Sequence, residues 1–300
     1  MPRVLVTGAS GLLGRRTVPL LKEKGWDVVT TGRRDPDHPA DVTRPGSLAA
    51  LVESLDPDAV VHLAGGAVTG DVSTWELNLL PGVELLHAAA RSARRPRVVL
   101  IGSAAEYGVD GDGVTEETPA HPVSDYGRAK SVQTVCARRF HQNGIPVLVV
   151  RPFNVVAPDL PPSSALGNLR SQVMACRPAP SCEVRCGRLD VVRDFVTADF
   201  VARVLVRCLE AWPGVPVLNV ASGHGIALGE VFDAFGAVVG MRLRYRPAPE
   251  LTAIAGPDVL TADPAALEAA TALRCEVDAH QLARELAGPD GSPSSQGETP

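Results

Sequence analysis

Val4-Leu5-Val6-Thr7-Gly8-Ala9-Ser10-Gly11-Leu12-Leu13-Gly14 is an apolar run that stops at a glycine-rich bend and continues as an amphipathic stretch. The pattern predicts a strand, a phosphate-cradling turn and a helix over residues 12–24. Gly8 can take the tight turn, Gly11 has no Cβ to block a pyrophosphate, and Gly14 lets the helix lie close on the strand. The helix N-terminus then points its unpaired N–H groups at the anion. Gly8, Ser10, Gly11, Leu12, Leu13 and Gly14 are therefore the candidate phosphate-side residues of a dinucleotide site. Glycine triplets occur in many turns, and it is the strand before this one and the helix after it that make it specific.

The 300-residue chain is long enough for a large core and suits one α/β domain with a smaller appendage. Its net charge of -5 leaves no basic face for nucleic acid or for an anionic membrane. No apolar run approaches the roughly 20 residues of a membrane span, and a first strand by Val4 leaves no room for a signal peptide. The expectation is a soluble, cytoplasmic protein. Cys136, Cys176, Cys182, Cys186, Cys208 and Cys275 form no CxxC pair, and no histidine accompanies Cys182 and Cys186. They are expected to be reduced thiols that bind no metal. Of 29 basic residues only Lys22, Lys24 and Lys130 are lysine, and the tyrosines are Tyr107, Tyr126 and Tyr245. A chain that otherwise chooses arginine places a lysine four residues after a tyrosine, which calls for a chemical explanation.

Trp26-Asp27-Val28-Val29-Thr30-Thr31 is a short β-rich run ending at Gly32-Arg33-Arg34. At the end of the second strand of a dinucleotide fold, an acid binds the ribose 2′-hydroxyl or an arginine accommodates a 2′-phosphate. Gly32 stands where the acid is expected, and the planar forks of Arg33 and Arg34 suit a phosphate. The expected cofactor is NADP(H). NAD(H) is the alternative, should Asp35 and Asp37 pair with the arginines in a solvated loop. Asp41-Val42 reads as the next short strand, reaching the adenine, and residues 47–55 have helical spacing. Ala59-Val60-Val61-His62-Leu63-Ala64-Gly65-Gly66 reads as a buried strand followed by small residues. At Leu63, Ala64 and Gly65 the backbone can approach the cofactor, and His62 reads as a satisfied core histidine.

Residues 75–93 carry a long helical pattern that includes Asn78, and residues 97–101 form an apolar strand ending in Gly102-Ser103. Three strand-to-helix units in a row imply an α/β fold with a parallel sheet, whose ligands bind at the carboxyl ends of its strands. Ser103 lies at one such end. Residues 104–123 read as a loop over the site. Asp125-Tyr126-Gly127-Arg128-Ala129-Lys130 opens a helix to residue 142, with Tyr126 and Lys130 on one face. A phenol beside an ammonium has a stabilised phenolate and a lowered pKa, suited to proton transfer at an alcohol oxygen. Ser103 can hydrogen-bond the same oxygen.

A strand over residues 146–150 leads into Arg151-Pro152-Phe153-Asn154. A Pro-rich stretch over 158–180 with a helix at 166–175 departs from the nucleotide domain. Residues 191–196, a helix at 199–211 and a strand at 217–220 return to it. Helices at 228–239 and 264–273 flank Arg244-Tyr245-Arg246. The expected division is a cofactor-binding domain of residues 1–157 with 191–221, a substrate domain of 158–190 with 222–287, and a disordered tail from 288 to 300.

The motifs together resemble the extended short-chain dehydrogenases/reductases that act on nucleotide sugars. The resemblance rests on Thr7 to Gly14, His62-Leu63-Ala64, Gly102-Ser103-Ala104-Ala105-Glu106-Tyr107-Gly108, Tyr126-Gly127-Arg128-Ala129-Lys130, Arg151-Pro152-Phe153-Asn154 and Arg193-Asp194-Phe195-Val196, and extends to about residue 275. It implies a Rossmann-type doubly wound parallel sheet with a smaller C-terminal α/β substrate domain. Ser103, Tyr126 and Lys130 resemble the catalytic triad, and Pro152 falls on the cofactor side. Ser103, Ala104, Ala105, Asn154, Asn168, Leu169 and Arg193 resemble substrate positions, with Arg246 a second phosphate arginine. The layout is most similar to reductases that convert a GDP-linked 4-keto-6-deoxyhexose to GDP-rhamnose. The family also implies a homodimer through the helices at 75–93 and 126–142.

One departure sorts the reactions of this family. Members that eliminate water carry an acid and a base where this chain has Ala104 and Ala105. Members that epimerise beside the carbonyl resemble this layout with a cysteine at the second position. Glu106 adjoins Tyr107 and, in a strand-like segment, points away from the base position. The expected activity is NADPH-dependent reduction of a keto group on a nucleotide-linked deoxysugar. The alternatives are a C4 epimerase retaining NAD and a reductase of a non-nucleotide ketone. A regulatory NADP sensor would be expected to have lost one of Ser103, Tyr126 and Lys130.

Overall fold

The computed structural model describes residues 1–32, 34–66, 73–252 and 256–289. In chain order the elements are β1 (Arg3–Thr7), α1 (Gly14–Glu23), β2 (Asp27–Gly32), β3 (His38–Pro39), α2 (Ser47–Leu55), β4 (Ala59–His62), α3 (Thr74–Asn78), α4 (Leu80–Arg91) and β5 (Arg97–Ile101). Next come a 3-10 turn (Ala104–Glu106), β6 (Gly111–Val114), α5 (Asp125–Gln142), β7 (Val147–Pro152), β8 (Asn154–Val156), α6 (Ala165–Cys176) and β9 (Ser181–Cys186). β10 (Val192–Thr197), α7 (Ala198–Glu210), β11 (Val217–Val220), β12 (Gly225–Ala227), α8 (Leu228–Val238) and β13 (Arg242–Pro247) follow. α9 (Pro249–Thr252), β14 (Val259–Ala262), α10 (Ala265–Thr271) and α11 (Ala279–Ala287) complete the order.

The main sheet is parallel throughout, in the order β11-β7-β5-β4-β1-β2-β3. Its strands alternate faces with the period of two that extended backbone imposes. Val4, Val6, Val61, Val99 and Leu148 face one core with Leu21 of α1 and Val201 and Leu205 of α7. Leu5 and Val60 face the other side against Leu48 of α2 and Leu85 of α4, and Val98, Leu100 and Val149 pack there with Ala137 of α5. Helices on both faces explain why the strands read as continuous apolar runs. Strand order reverses between β1 and β4, so the ligand crevice of such a sheet opens there, at the carboxyl edge.

A second body builds on β10, which pairs with β8, β12 and β14, while β14 pairs with β6. The parallel ribbon β9–β13 and helices α6, α8 and α11 enclose its core, including Leu169, Val184, Phe232, Phe235 and Leu286. Leu267 of α10 and Cys275 instead join the core of the main sheet, although both fall in the stretch expected in the substrate domain.

Several expectations are corrected. The strand beside β2 is His38–Pro39, paired with Thr31 and Gly32, whereas Asp41 and Val42 lie in the turn that follows. The single helix over 75–93 divides at Leu79, because Pro81 opens a new helix, α4, as its N-terminal turn tolerates. The loop over 104–123 contains a 3-10 turn and β6. The thiols are not all reduced: Cys176 ends α6, Cys182 begins β9, and the turn between them brings their Cα atoms to 5.8 Å in a disulfide. β9 alternates exposed and buried residues over Ser181–Cys186, a signal of period two that marks it as a strand. Among the described residues no helix is long and apolar enough to cross a membrane.

The first turn is held by close backbone contact. A Cβ on Gly14 would be driven into the carbonyl oxygen of Gly8 and would stand 2.5 Å from that of Ala9. Gly14→Ala is expected to cost at least about 1–3 kcal/mol, the usual range for overpacking. Equilibrium denaturation checks this, and an unchanged unfolding midpoint would refute the contact.

Candidate active site

The cradle begins where β1 ends. Gly8 has φ +69°, and a Cβ there would lie 2.6 Å from the Ala64 amide nitrogen, so the turn rests against the end of β4. Thr7 Oγ1 accepts a hydrogen bond from that amide at 3.2 Å and bonds His62 Nδ1 at 2.7 Å. Burial, assisted by the charge of Lys130, pushes the pKa of His62 down to about 3. It is a neutral core histidine. A Cβ on Gly11 would meet only Gly8 O, at 3.1 Å, so the outer side of the turn is open. No side chain caps the N-terminus of α1. An uncovered helix start behind an open glycine turn fits the pyrophosphate of a nicotinamide dinucleotide.

At the end of β2, Arg34 is exposed and forms no ion pair among the described residues. Arg33 lies outside them. Asp37, one of the two carboxylates considered as partners of these arginines, accepts from Thr30 N and Oγ1, both at 2.8 Å, and these bonds hold its pKa below the usual carboxylate range. Asp41 accepts from Thr43 N and Oγ1 within its turn.

Register brings the predicted triad to one edge. Ile101 of β5 pairs with Val150 of β7, which sets Ser103 level with Pro152 just beyond both strand ends. α5 starts beside them: Ser124 caps it by accepting from Gly127 N at 3.1 Å, and a Cβ on Gly127 would collide with the Ala105 carbonyl. Tyr126 and Lys130 share the inner face of this helix, with Lys130 Nζ 5.9 Å from the phenol ring centroid. Nζ donates to Ile101 O at 2.9 Å, and Lys130 as a whole is only 2% exposed. Burial depresses its pKa to about 8, against the opposing charge of Glu106.

The lowered phenol pKa expected for Tyr126 is corrected. Burial raises it, the nearby Ser103 hydroxyl counters in part, and Glu106 raises it further. The ammonium expected to stabilise the phenolate is engaged with the Ile101 carbonyl instead.

Glu106 is also not on a strand. It ends the 3-10 turn with its carboxylate fully buried, accepting from Ser103 N at 3.0 Å and Thr134 Oγ1 at 2.7 Å and pairing with Arg151 at 2.8 Å. Arg151 also donates to Tyr107 OH at 3.1 Å, and Tyr107 donates to Asn219 Oδ1 at 2.8 Å. Ala104 is buried against Tyr107 and Phe153. Asn78, which carried no expected role, brackets Gly66 through its amide and carbonyl, and a Cβ on Gly65 would stand 2.9 Å from its Oδ1 and 3.3 Å from Lys130 Nζ. The end of β4 therefore lies directly over the lysine.

Beyond β7 a cleft of about 430 Å3 runs between β8, α6, β9 and β10. Of the expected substrate residues, Asn154, Asn168 and Arg193 line it. Leu169 does not, since it faces from α6 into the core of the second body. Arg246 is exposed and pairs with Glu183 on the β9–β13 ribbon, away from the cleft lining. Arg185 and Arg188, which spacing alone did not single out, line the cleft instead. Arg185 pairs with Glu250, and Arg188 with Asp190 and Asp258. Arg193 is oriented by the carbonyls of Val192, Pro257 and Asp258.

Residues 4–221 match the NAD dependent epimerase/dehydratase family. The chain belongs to this family. It is an enzyme of the extended short-chain dehydrogenase/reductase type, as its motifs implied. Among relatives of the family, a dTDP-6-deoxy-L-talose 4-dehydrogenase (NAD(P)(+)) from Kitasatospora kifunensis is 32% identical over 236 residues, 74% of each chain. A GDP-6-deoxy-D-mannose reductase from Pseudomonas aeruginosa is 27% identical over 259 residues, 82% of this chain and 83% of that one. The structure of RMD from Pseudomonas aeruginosa complexed with NADPH superposes with a TM-score of 0.77 at 25% identity, covering 95% of this chain and 98% of the other.

A lysine whose folded pKa lies below its unfolded value opposes folding while both states are protonated, and ceases to as pH rises through the unfolded value. For Lys130 that window runs from about 8 to 10.5. Lys130→Met is expected to raise the unfolding free energy at pH 7, on the order of 1–3 kcal/mol, and to remove the rise in stability across this window. Denaturant titrations at several pH values check this. Stability at pH 7 no greater than wild type would contradict it.

Proposed function

We propose that this enzyme is an NADPH-dependent reductase of a keto group on a nucleotide-linked deoxysugar. The observation that carries the reading is the placement of Ser103, Tyr126 and Lys130 together at the carboxyl edge of β5, beside a cleft whose wall presents Arg185, Arg188 and Arg193. Gly8 to Gly14 would hold the pyrophosphate, Lys130 the nicotinamide ribose, and Arg33 and Arg34 the 2′-phosphate. When bound, NADPH supplies a hydride to the carbonyl carbon. Tyr126 gives its proton to the carbonyl oxygen, and the raised pKa of its phenol keeps that proton available. Ser103 donates to the same oxygen. The arginines and Asn154 and Asn168 take the diphosphate and its nucleoside, since guanidinium forks pair with phosphate oxygens. Ala104 and Ala105 offer neither acid nor base, which supports hydride and proton transfer alone over elimination of water.

In this reading residues 1–157 with 191–221 carry the cofactor and 158–190 with 222–287 the substrate. Trp75, Leu80, Val132 and Val135 are exposed on α3 to α5 and suit the face of a homodimer. The net acidic charge of -5 fits a cytoplasmic enzyme.

Binding of NADPH and NADH to the purified protein, with identification of any nicotinamide that copurifies, tests the cofactor. Exchangeable binding that prefers NADPH is expected, whereas tightly retained NAD would favour a C4 epimerase. Arg33→Ala with Arg34→Ala should weaken NADPH roughly 10-fold or more while sparing NADH, and equal losses would remove the 2′-phosphate assignment. Tyr126→Phe should lower turnover of GDP-4-keto-6-deoxy-D-mannose about 100-fold or more with cofactor affinity retained. Normal kcat would refute the proton donor. Arg193→Ala with unchanged substrate affinity would point to a ketone without a diphosphate.

A further inference from the structure

We infer that Glu106 is a positioning residue for this reaction: its buried carboxylate, braced by Arg151 and Thr134, fixes the backbone of Ser103 and supplies the fixed negative charge felt by Tyr126 and Lys130. The inference rests on the reductase reading for its catalytic meaning and on contacts of the carboxylate for its substance.

Every donor on this carboxylate comes from an element of the site. Oε1 takes the N–H of Ser103 itself. Oε2 takes the hydroxyl of Thr134, one turn beyond Lys130 on α5, and the Nε and Nη2 of Arg151 on β7. A Cβ on Gly102 would lie 2.6 Å from Oε1, so the carboxylate sits against the backbone that leads into Ser103. One side chain thus ties the end of β5 to the helix that carries the phenol and the ammonium. A buried ion pair is a weak device for stability, because hydrophobic replacements of both partners commonly cost nothing. The location of this pair has its explanation in the chemistry above it.

Among the described residues the charges around the three groups are few. Lys130 faces neutral His62 from β4, Asn78 from α3, Gln133 on its own helix and the Ile101 carbonyl. Tyr126 faces Ser103 and Lys130. Behind Glu106 stand Arg151 and Tyr107, with Glu116 beyond them at the Asn219 amide. Asp125 and Arg128 pair with each other on exposed positions of α5. Among the described residues Glu106 is the anion that reaches both Tyr126 and Lys130, and it raises the pKa of each. It therefore keeps the proton on the donor and the charge on the lysine, against the burial that depresses Lys130.

The test compares wild type with Glu106→Gln and with the double variant Glu106→Gln/Arg151→Met, which leaves neither charge alone. With only three tyrosines in the chain, the tyrosinate absorbance of Tyr126 is isolated by subtracting Tyr126→Phe. In Glu106→Gln the Tyr126 transition is expected to fall by about one pH unit. The alkaline limb of kcat, measured with NADPH and GDP-4-keto-6-deoxy-D-mannose, should move the same way, with kcat down roughly 10-fold and KM little changed. Should the single variant fail to fold, the double variant carries the test, with a smaller fall in the same direction. A lowered melting temperature with the Tyr126 transition and the alkaline limb unmoved would overturn the inference and leave the pair merely structural. A wild-type enzyme that binds NADPH but reduces no nucleotide-linked ketosugar would overturn the reductase reading and the catalytic role with it, while the tyrosinate titration, which needs no substrate, would still decide whether the charge acts.

Discussion

At the turn after β1, backbone lies against backbone at distances that leave no space for a methyl group. Gly8 meets the amide of Ala64 at the end of β4, and Gly14 meets the carbonyls of Gly8 and Ala9. This contact joins the two strands between which the sheet order reverses, and so creates the crevice at its carboxyl edge. Everything that follows along that edge inherits its placement. Thr7 and His62 lock β1 to β4, Asn78 fixes the residues after β4, and Gly65 lies over the lysine that α5 delivers from the other side.

Beneath this edge the protein accepts buried charge that a fold optimised for stability alone would avoid. Lys130, Glu106, Arg151 and Asp194 are all nearly inaccessible to solvent. Each is compensated by directed hydrogen bonds, as burial of a charge requires. Asp194 illustrates the economy of a strand: its carboxylate accepts from Ser222 and Gly223 on one face of β10, while its neighbours Arg193 and Phe195 line the cleft on the other. The same alternation places the cleft wall and its support in three consecutive residues.

How much was legible follows from the range over which each interaction acts. The glycine turn, the Tyr126–Lys130 spacing and the helix over residues 47–55 were readable because periodicity and local backbone preference act within a few residues. Arg246 was misplaced because β13 pairs with β9, which sets it against Glu183, 63 residues away. Arg185 and Arg188 reach the cleft because α6, β9 and β10 close around them. Cys176 and Cys182 meet because the chain reverses between a helix end and a strand start.

The sequence by itself determined the family, the parallel sheet, the glycine turn after β1 and the three residues set at the sheet's carboxyl edge. These depend on glycine positions, apolar periods and short spacings that survive in the unfolded chain. Only the tertiary structure decided which arginines line the cleft, that the Tyr126 phenol is raised rather than lowered in pKa, and which carboxylate supports the site. Those outcomes are sums over burial and charge from strands and helices far apart in the chain, and Glu106, Thr134 and Arg151 become neighbours only when β5, α5 and β7 pack together.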